Sequence, residues 1–195
     1  NFLDPLASST LVSGRFGKRA TGMKIHRCRF VDYVPSAINC ACFVTDKPST
    51  GGVGCLAWKE LLVVGRENGD VEVFDAADQM NFDTKLCTPS PVQGITCPSV
   101  DLIVTAHLDG YLRLWNRQTK ALIHQTESLG GSIWCIDQNV QEPNLIACGC
   151  DDGSVRIFDV SQSGFSYIRS CDIQEGKILG LRWDANGTKI AACSS

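Results

Sequence analysis

The residues best suited to chemistry in this 195-residue chain are its 11 cysteines and 3 histidines. A cysteine beside a histidine could act as a nucleophile, and clustered thiolates could bind zinc. The tightest groupings are Cys40-Ala-Cys42 and Cys148-Gly-Cys150. A one-residue gap places two strand side chains on one face, whereas structural zinc sites use gaps of about two to four residues together with further cysteines or histidines. We therefore predict reduced, buried cysteines that pack as small hydrophobic side chains, and a reducing compartment.

Two other motifs could carry chemistry. Asp151-Asp152 could form a carboxylate pair for acid–base catalysis. Gly51-Gly52-Val53-Gly54 is glycine-rich like a phosphate-binding loop, but it lacks the Lys-Ser/Thr partner and does not lead into a helix. We interpret it as a flexible connection in an inserted loop, residues 46 to 54.

A repeat of about 40 residues supplies the elements that position these groups. Each unit is an apolar strand, a turn that ends in glycine, and a second strand that ends in an aromatic residue followed by Asp or Asn. Three segments align without a gap: 61–75 (LLVVGRENGDVEVFD), 102–116 (LIVTAHLDGYLRLWN) and 145–159 (LIACGCDDGSVRIFD). The turn glycines Gly69, Gly110 and Gly153 are 41 and then 43 residues apart.

The turns and strands of the repeat have a physical basis. The pairs Asn68-Gly69, Asp109-Gly110 and Asp152-Gly153 suit the positive φ angles of tight hairpin turns. The first strand of each hairpin is apolar on both faces, as expected between neighbouring sheets. The second strand alternates, which predicts one buried face and one wetter face. The wetter face would carry Glu72, Arg113 and Arg156.

The same alignment assigns structural places to the candidate chemical residues. Asp152 aligns with the turn residues Asn68 and Asp109, so it is expected to shape a turn. His107 aligns with Arg66 and Cys150, which indicates a variable position beside the turn, and we expect it to be neither catalytic nor a metal ligand. His124 is expected on the surface of an outer strand. Trp58, Trp134 and Trp183 are expected to pack between sheets.

Two further strands complete each unit. The upstream strands are predicted at 38–43, 94–97, 132–136 and 178–183, and the downstream strands at 81–87, 121–125 and 165–171. Four strands in every unit, with these aromatic-Asp or aromatic-Asn endings, predict an all-β fold, the WD-repeat β-propeller. The chain reaches Ser195 in the second strand of a fourth unit, so we expect about three and a half blades of an incomplete, truncated ring.

The net charge of −3 hides an uneven distribution. Residues 1 to 30 contain a single acid, Asp4, and six bases: Arg15, Lys18, Arg19, Lys24, Arg27 and Arg29. The other 165 residues carry 12 bases and 20 acids. A basic leading segment on an acidic body could contact a polyanion or an acidic partner, or could simply be solvated. Lys24, Arg27 and Arg29 are the candidate contact residues for RNA or a partner protein.

Three stretches of the chain resemble one family. The run Lys24-Ile25-His26-Arg27-Cys28-Arg29-Phe30, followed by Tyr33-Val34-Pro35-Ser36, resembles the opening of the cirhin family in order and spacing. Residues 130 to 160 and 177 to 195 resemble its third and fourth blades. Met23 is equivalent to the family's first methionine, so residues 1 to 22 are an N-terminal extension that we expect to be disordered. Residues 23 to 195 would then be the N-terminal portion of the propeller.

The resemblance implies a role in ribosome biogenesis. Members of the cirhin family are WD-repeat subunits of the small-subunit processome, numbered among the U-three small nucleolar RNA-associated proteins. It implies a nucleolar, non-catalytic scaffold for 18S rRNA maturation, with no cofactor and no metal. Its partners would be other WD-repeat processome subunits and the 5′ external transcribed spacer of pre-ribosomal RNA, contacted directly or through the complex, with no membrane and no small-molecule substrate.

The propeller fold leaves an alternative function open and predicts a closing strand. The fold alone implies only an interaction platform, so a WD-repeat adaptor of another class, such as the substrate receptor of a ubiquitin ligase, is the alternative function. A propeller removes its exposed sheet edges by closing its ring. We therefore predict that residues 24 to 31 form a strand that completes the outer edge of the last blade.

Overall fold

The computed structural model describes residues 36–45, 60–171 and 173–195, and these ranges contain strands and turns. The strands of the first half are β1 (Ile38–Thr45), β2 (Glu60–Arg66), β3 (Asp70–Asp75), β4 (Asn81–Cys87), β5 (Val92–Ser99), β6 (Leu102–His107) and β7 (Tyr111–Asn116). The strands of the second half are β8 (Leu122–Glu127), β9 (Ile133–Gln138), β10 (Leu145–Cys150), β11 (Val155–Ser161), β12 (Gly164–Ser170), β13 (Ile178–Trp183) and β14 (Ile190–Ser194).

These strands form antiparallel sheets in sequence order. Strands β1–β4 make blade 1, β5–β8 make blade 2, β9–β12 make blade 3, and β13–β14 begin a fourth blade. The all-β prediction, the four strands per unit and the positions of the three hairpins are therefore confirmed. Within the described ranges no helix is long and apolar enough to cross a membrane.

The hydrophobic cores lie between consecutive blades. One core joins blade 1 to blade 2, with Val63 and Val73 packed against Val92 and Ile103. A second core joins blades 2 and 3, and a third joins blade 3 to the strands of the fourth. Strand β6 is buried along its whole length, as the prediction of sandwiched strands requires. Each blade therefore depends on its neighbour for burial of apolar surface.

The hairpin turns differ in detail from the prediction. Gly69, Gly110 and Gly153 do have positive φ angles, of 88°, 84° and 81°. The residue before each glycine is absent from the positive-φ set, so only the glycine is left-handed. The preceding side chain instead accepts a hydrogen bond from the backbone N–H two residues later. Asp109 accepts from Tyr111 at 3.2 Å and Asp152 from Ser154 at 2.9 Å. Asn and Asp favour this local geometry.

The predicted wetter face of the second hairpin strand is wrong. Glu72 and Arg113 are buried, and Arg156 is half-buried. The alternating pattern therefore marks two different neighbours and not a dry face and a wet face. Buried charges require partners, and each of these three has one of opposite sign within its own blade.

Several predictions concern parts of the chain that lie outside the described ranges. They are the N-terminal extension at 1–22, the strand at 24–31, the inserted loop at 46–54 with its glycines, and Trp58. Each stays a prediction.

Candidate interaction surface

One edge of the blades collects their hairpin turns and the loops that enter each blade. We define the turn surface as residues 107–110, 128–132, 150–153 and 173–177. Its segments interlock through main-chain hydrogen bonds. The Ser128 N–H donates to the Gly110 carbonyl at 2.8 Å, and the Asp151 N–H donates to the Ser132 carbonyl at 2.9 Å. The Gln174 N–H donates to the Gly153 carbonyl at 3.0 Å, so the surface is continuous across blades 2, 3 and 4.

The position held by His107 is interior, not merely beside the turn. Its side chain is fully buried, with Nδ1 3.0 Å from the Ser90 carbonyl oxygen and Nε2 2.8 Å from the Thr105 hydroxyl. The Trp115 indole N–H donates to the same hydroxyl at 3.1 Å. Burial and the nearby Arg113 lower the pKa of His107 to about 4. The imidazole is a neutral structural link, and both of its nitrogens face protein atoms.

The positions aligned with His107 in blades 1 and 3 hold different buried side chains with different partners. In blade 1, the Arg66 guanidinium donates to Glu72 Oε2 at 2.7 and 2.9 Å, and both side chains are buried. In blade 3, Cys148 and Cys150 occupy the places of Thr105 and His107. Contact with Cys150 and burial raise the pKa of the Cys148 thiol well above its usual value, so it stays protonated. Such thiols are poor nucleophiles.

The described cysteines match the predicted packing role in part. Cys97, Cys148 and Cys150 are buried, whereas Cys87 and Cys193 are exposed, so the expectation of uniform burial is wrong. The exposed pair lies on β4 and β14, which are edge strands of their sheets as described. In the ranges covered by the structure, all cysteines are free thiols, and no three Cys, His, Asp or Glu side chains cluster as metal ligands.

The turn aspartates of blades 2 and 3 form ion pairs with a common orientation. Arg113 donates to Asp109 at 2.6 Å, with side chains 6% and 30% exposed. Arg156 donates to Asp152 at 2.9 Å, with side chains 15% and 35% exposed. The guanidinium is thus inside and the carboxylate outside in both blades. Blade 1 has Asn68 in place of the turn aspartate, and its Asp70 pairs with Lys85, which is the more exposed of the two.

Asp151 has a different role from its neighbour Asp152. Its carboxylate accepts the Trp134 indole N–H at 2.9 Å, and the Lys177 ammonium lies 4.0 Å from the centre of the Trp134 ring. Trp134 is half-buried, so the prediction that it packs between blades holds only in part. Trp183 is also half-buried, and it packs against the core between blade 3 and the fourth blade.

Leu129 is the most unusual residue of the turn surface. It has a φ of 60°, and it is 70% exposed. The loop below it is tightly held, because the buried Ser128 hydroxyl accepts the Gly130 N–H at 3.2 Å and donates to the Gly131 carbonyl at 2.8 Å. Leu129 was not among the candidate residues predicted from the sequence. Its only signal was the Gly130-Gly131 pair, which indicates a tight loop without indicating what the loop displays.

The predicted contact residues Lys24, Arg27 and Arg29 lie outside the described ranges, so their contact role stays a prediction. The described ranges contain 10 Lys and Arg against 17 Asp and Glu. Six of those bases form ion pairs: Arg66, Lys85, Arg113, Arg117, Arg156 and Arg182. The described blades therefore present an acidic surface with most of their cations already paired.

Comparison with known proteins agrees with this architecture. A family model described as the anaphase-promoting complex subunit 4 WD40 domain matches residues 95–186. The C-terminal WD40 domain of Sif2 shares the fold with a TM-score of 0.59, at 20% identity, over 68% of this chain and 39% of that one. The fold is thus a WD-repeat β-propeller, of which the structure describes three blades and the first two strands of a fourth.

Two proteins of similar sequence add to the comparison by fold. The chain is similar to the U3 small nucleolar RNA-associated protein 4 homolog of Homo sapiens, with 27% identity over 88% of this chain and 23% of that protein. It is also similar to the U3 small nucleolar RNA-associated protein 4 of Schizosaccharomyces pombe, with 31% identity over 88% of this chain and 25% of that protein. The chain therefore spans about a quarter of the length of these curated relatives.

Proposed function

We propose that this chain belongs to a non-catalytic scaffold of ribosome biogenesis, a cirhin-like subunit of the small-subunit processome. It would act in the nucleolus on nascent pre-ribosomal RNA and support 18S rRNA maturation. The observation that carries the proposal is similarity, over 88% of the chain, to proteins named for association with U3 small nucleolar RNA. The role of His107 as a buried, neutral link in the core of blade 2 agrees with it.

The charge distribution supports separate surfaces for protein partners and for RNA. The acidic surface of the described blades suits protein partners, which we propose are other WD-repeat subunits of the processome. Nucleic acid affinity comes largely from neutralised phosphates. We therefore assign any direct RNA contact to the leading basic cluster of Lys24, Arg27 and Arg29.

Purification of the full-length protein from cells tests the function itself. The proposal requires recovery of U3 small nucleolar RNA, the 5′ external transcribed spacer of pre-ribosomal RNA and processome proteins. An adaptor of another class, such as a ubiquitin-ligase substrate receptor, is the second candidate, since the matching family model comes from a subunit of a different assembly. Recovery of cullin-type ligase subunits without pre-ribosomal RNA would favour that candidate.

The RNA assignment has its own test. The double variant Arg27→Ala/Arg29→Ala removes two potential phosphate contacts. In the intact complex it should crosslink less to pre-ribosomal RNA and lower the salt dependence of binding by roughly two units of slope. Unchanged crosslinking and slope, with loss of a protein partner, would assign the cluster to subunit docking instead.

A further inference from the structure

The turn surface displays an apolar side chain that neither local conformation nor core packing explains. A leucine at a positive φ of 60° is sterically disfavoured, and glycine would fit Leu129's backbone without strain. Its side chain is 70% exposed, so it contributes little to the core. Backbone strain of this kind persists where the surroundings fix it, and it concentrates at sites that contact other molecules.

Hydrogen bonds around the loop hold Leu129 in this conformation. The Ser128 hydroxyl bridges Gly130 and Gly131, and the Arg156 guanidinium donates to the Ser128 carbonyl at 2.7 Å. The Asp152 N–H donates to the Gly130 carbonyl at 3.1 Å. Leu129 is therefore held on a rigid base, and a partner would not have to order the loop on binding.

The neighbouring groups define what kind of partner fits. The carboxylates of Asp109 and Asp152 are the more exposed members of their ion pairs with the buried Arg113 and the half-buried Arg156, and the exposed Asp151 adds a third. Trp134 lies beside Asp151, to which its indole N–H donates, and the Lys177 ammonium already lies over its ring. A cationic segment would meet favourable groups here, whereas phosphates would meet carboxylates.

We propose that Leu129 and Trp134, with the carboxylates of Asp109, Asp151 and Asp152, form a docking site for a basic protein segment that carries an aliphatic or aromatic side chain next to Lys or Arg. The apolar side chain of that segment packs on Leu129 beside Trp134, and its cation contacts the carboxylates. The proposal deepens the scaffold function, on which it rests, by assigning one protein-binding surface.

The partner segment can be identified by photocrosslinking. The full-length protein with Leu129→p-benzoylphenylalanine, purified in its assembled complex, should crosslink to a protein segment with net positive charge and an adjacent apolar residue. Crosslinking to RNA, to an acidic segment or to nothing would overturn the site. If U3 small nucleolar RNA still co-purifies in that case, the scaffold function stands while the docking site fails. Crosslinking to a basic segment of a protein outside the processome would support the docking site and contradict the scaffold function.

A matched pair of glycine variants separates binding from folding. With the crosslinked segment as a synthetic peptide probe, Leu129→Gly should weaken its affinity for the full-length protein at least about tenfold, as for a central contact residue. The same variant should raise the melting temperature by about 2 °C, because it relieves strain. Met80 has the same φ of 60° and is 47% exposed, but lies in the opposite turn between β3 and β4. Met80→Gly should raise the melting temperature and leave peptide affinity unchanged. Equal affinities for the two variants would refute the site.

Discussion

Blades 2 and 3 have the same backbone arrangement, but their interiors differ. Blade 2 contains a polar, hydrogen-bonded chain of side chains, and blade 3 has thiols and an aromatic ring at the aligned positions. In blade 2, a hydrogen-bonded chain runs from the Ser90 carbonyl through His107 and Thr105 to the indole of Trp115. In blade 3, the aligned positions hold Cys150, Cys148 and Phe158, and the Phe158 ring packs edge-on against Tyr167 with centroids 5.6 Å apart. The repeat thus fixes backbone geometry, while each interior must satisfy its own set of side chains as a unit.

The turn glycines, which the two blades share, should show the largest effects. Gly110→Val and Gly153→Val both place a β-branched residue at positive φ, which costs about 1–3 kcal/mol. At Gly153 the new Cβ would also overlap the Gln174 carbonyl oxygen, while at Gly110 it would lie 2.8 Å from the Gly131 carbonyl oxygen. Overpacking adds about 1–3 kcal/mol. We expect losses of about 2–6 kcal/mol in denaturant unfolding of the full-length protein, larger in blade 3.

Two variants control for this effect. Gly131 also has positive φ, at 78°, but a Cβ there would meet only Asp151 Cβ at 3.3 Å. Gly131→Ala therefore isolates the backbone strain and should cost less than either turn substitution. Asp151→Ala, on the exposed side of the turn, should be milder still. Neutral behaviour of both valine variants would contradict the turn geometry.

The hydrogen-bonded side chains inside blade 2 are the second difference between the two blades. Thr105→Val preserves shape but leaves His107 Nε2 and the Trp115 N–H without their shared partner. Each orphaned buried group costs about 1–3 kcal/mol, so we expect a loss of about 2–4 kcal/mol. In blade 3 the aligned Cys148→Ala removes one small apolar group and should cost about 1 kcal/mol, comparable to one methylene.

Blade 1 provides an internal reference for that contrast. Its aligned residue is Val64, and the residue in the tryptophan's place is Phe74, which has no N–H to satisfy. Valine is therefore compatible with the backbone at this position. Urea unfolding that shows equal losses for Thr105→Val and Cys148→Ala would mean that the hydrogen-bonded chain adds nothing beyond packing.

Acid should destabilise blade 2 selectively. The pKa of His107 is about 4 in the folded protein and about 6.5 in an unfolded chain. Between these values the unfolded chain binds a proton that the folded chain does not, so the free energy of unfolding falls as the pH drops through this window. The expected loss is about 2 kcal/mol at pH 5 relative to pH 8. It should be complete just below pH 4.

The variant His107→Gln removes the titrating group and should flatten the pH dependence between about 4 and 6.5. Partial burial opposes a lower pKa for Asp109 and Asp152, but hydrogen bonds, led by those from Arg113 and Ser154, lower the pKa of each. Their contribution is therefore lost only at more acidic pH. Melting temperatures measured from pH 4.5 to 8 separate the two effects. An identical slope in wild type and variant would contradict the role of His107.

The sequence predicts backbone features well because they recur with a fixed phase. Gly69, Gly110 and Gly153 locate the hairpins, and the apolar runs of β6 and β10 locate the sandwiched strands. It predicts interior partners poorly, since His107 is linked to Ser90, which is 17 residues away in a loop that carries no signal. The wetter-face prediction failed for a similar reason. Period-2 alternation cannot distinguish solvent from a buried ion pair such as Arg113 with Asp109.

The exposed display of Leu129 could not be predicted from its residue type either. An isolated leucine after Ser128 resembles a core residue, and only the φ angle and the open surroundings show that it is not one. The candidate surface therefore depends on loop geometry, which the repeat does not encode.

We expect the smallest difference in stability between blades 2 and 3 when their turn ion pairs are broken. Asp109→Asn keeps an oxygen for the Tyr111 N–H but removes the charge opposite Arg113, whose side chain is only 6% exposed. Asp152→Asn makes the same change beside Arg156, which is more exposed and also donates to Ser154 Oγ at 3.0 Å and to the Ser128 carbonyl at 2.7 Å. We expect a loss of about 1 kcal/mol for Asp109→Asn and about 0.5 kcal/mol or less for Asp152→Asn. Parallel chemical denaturation of the two variants at pH 7 measures both. A larger loss for Asp152→Asn would mean that the extra hydrogen bonds of Arg156 do not compensate for its lost partner.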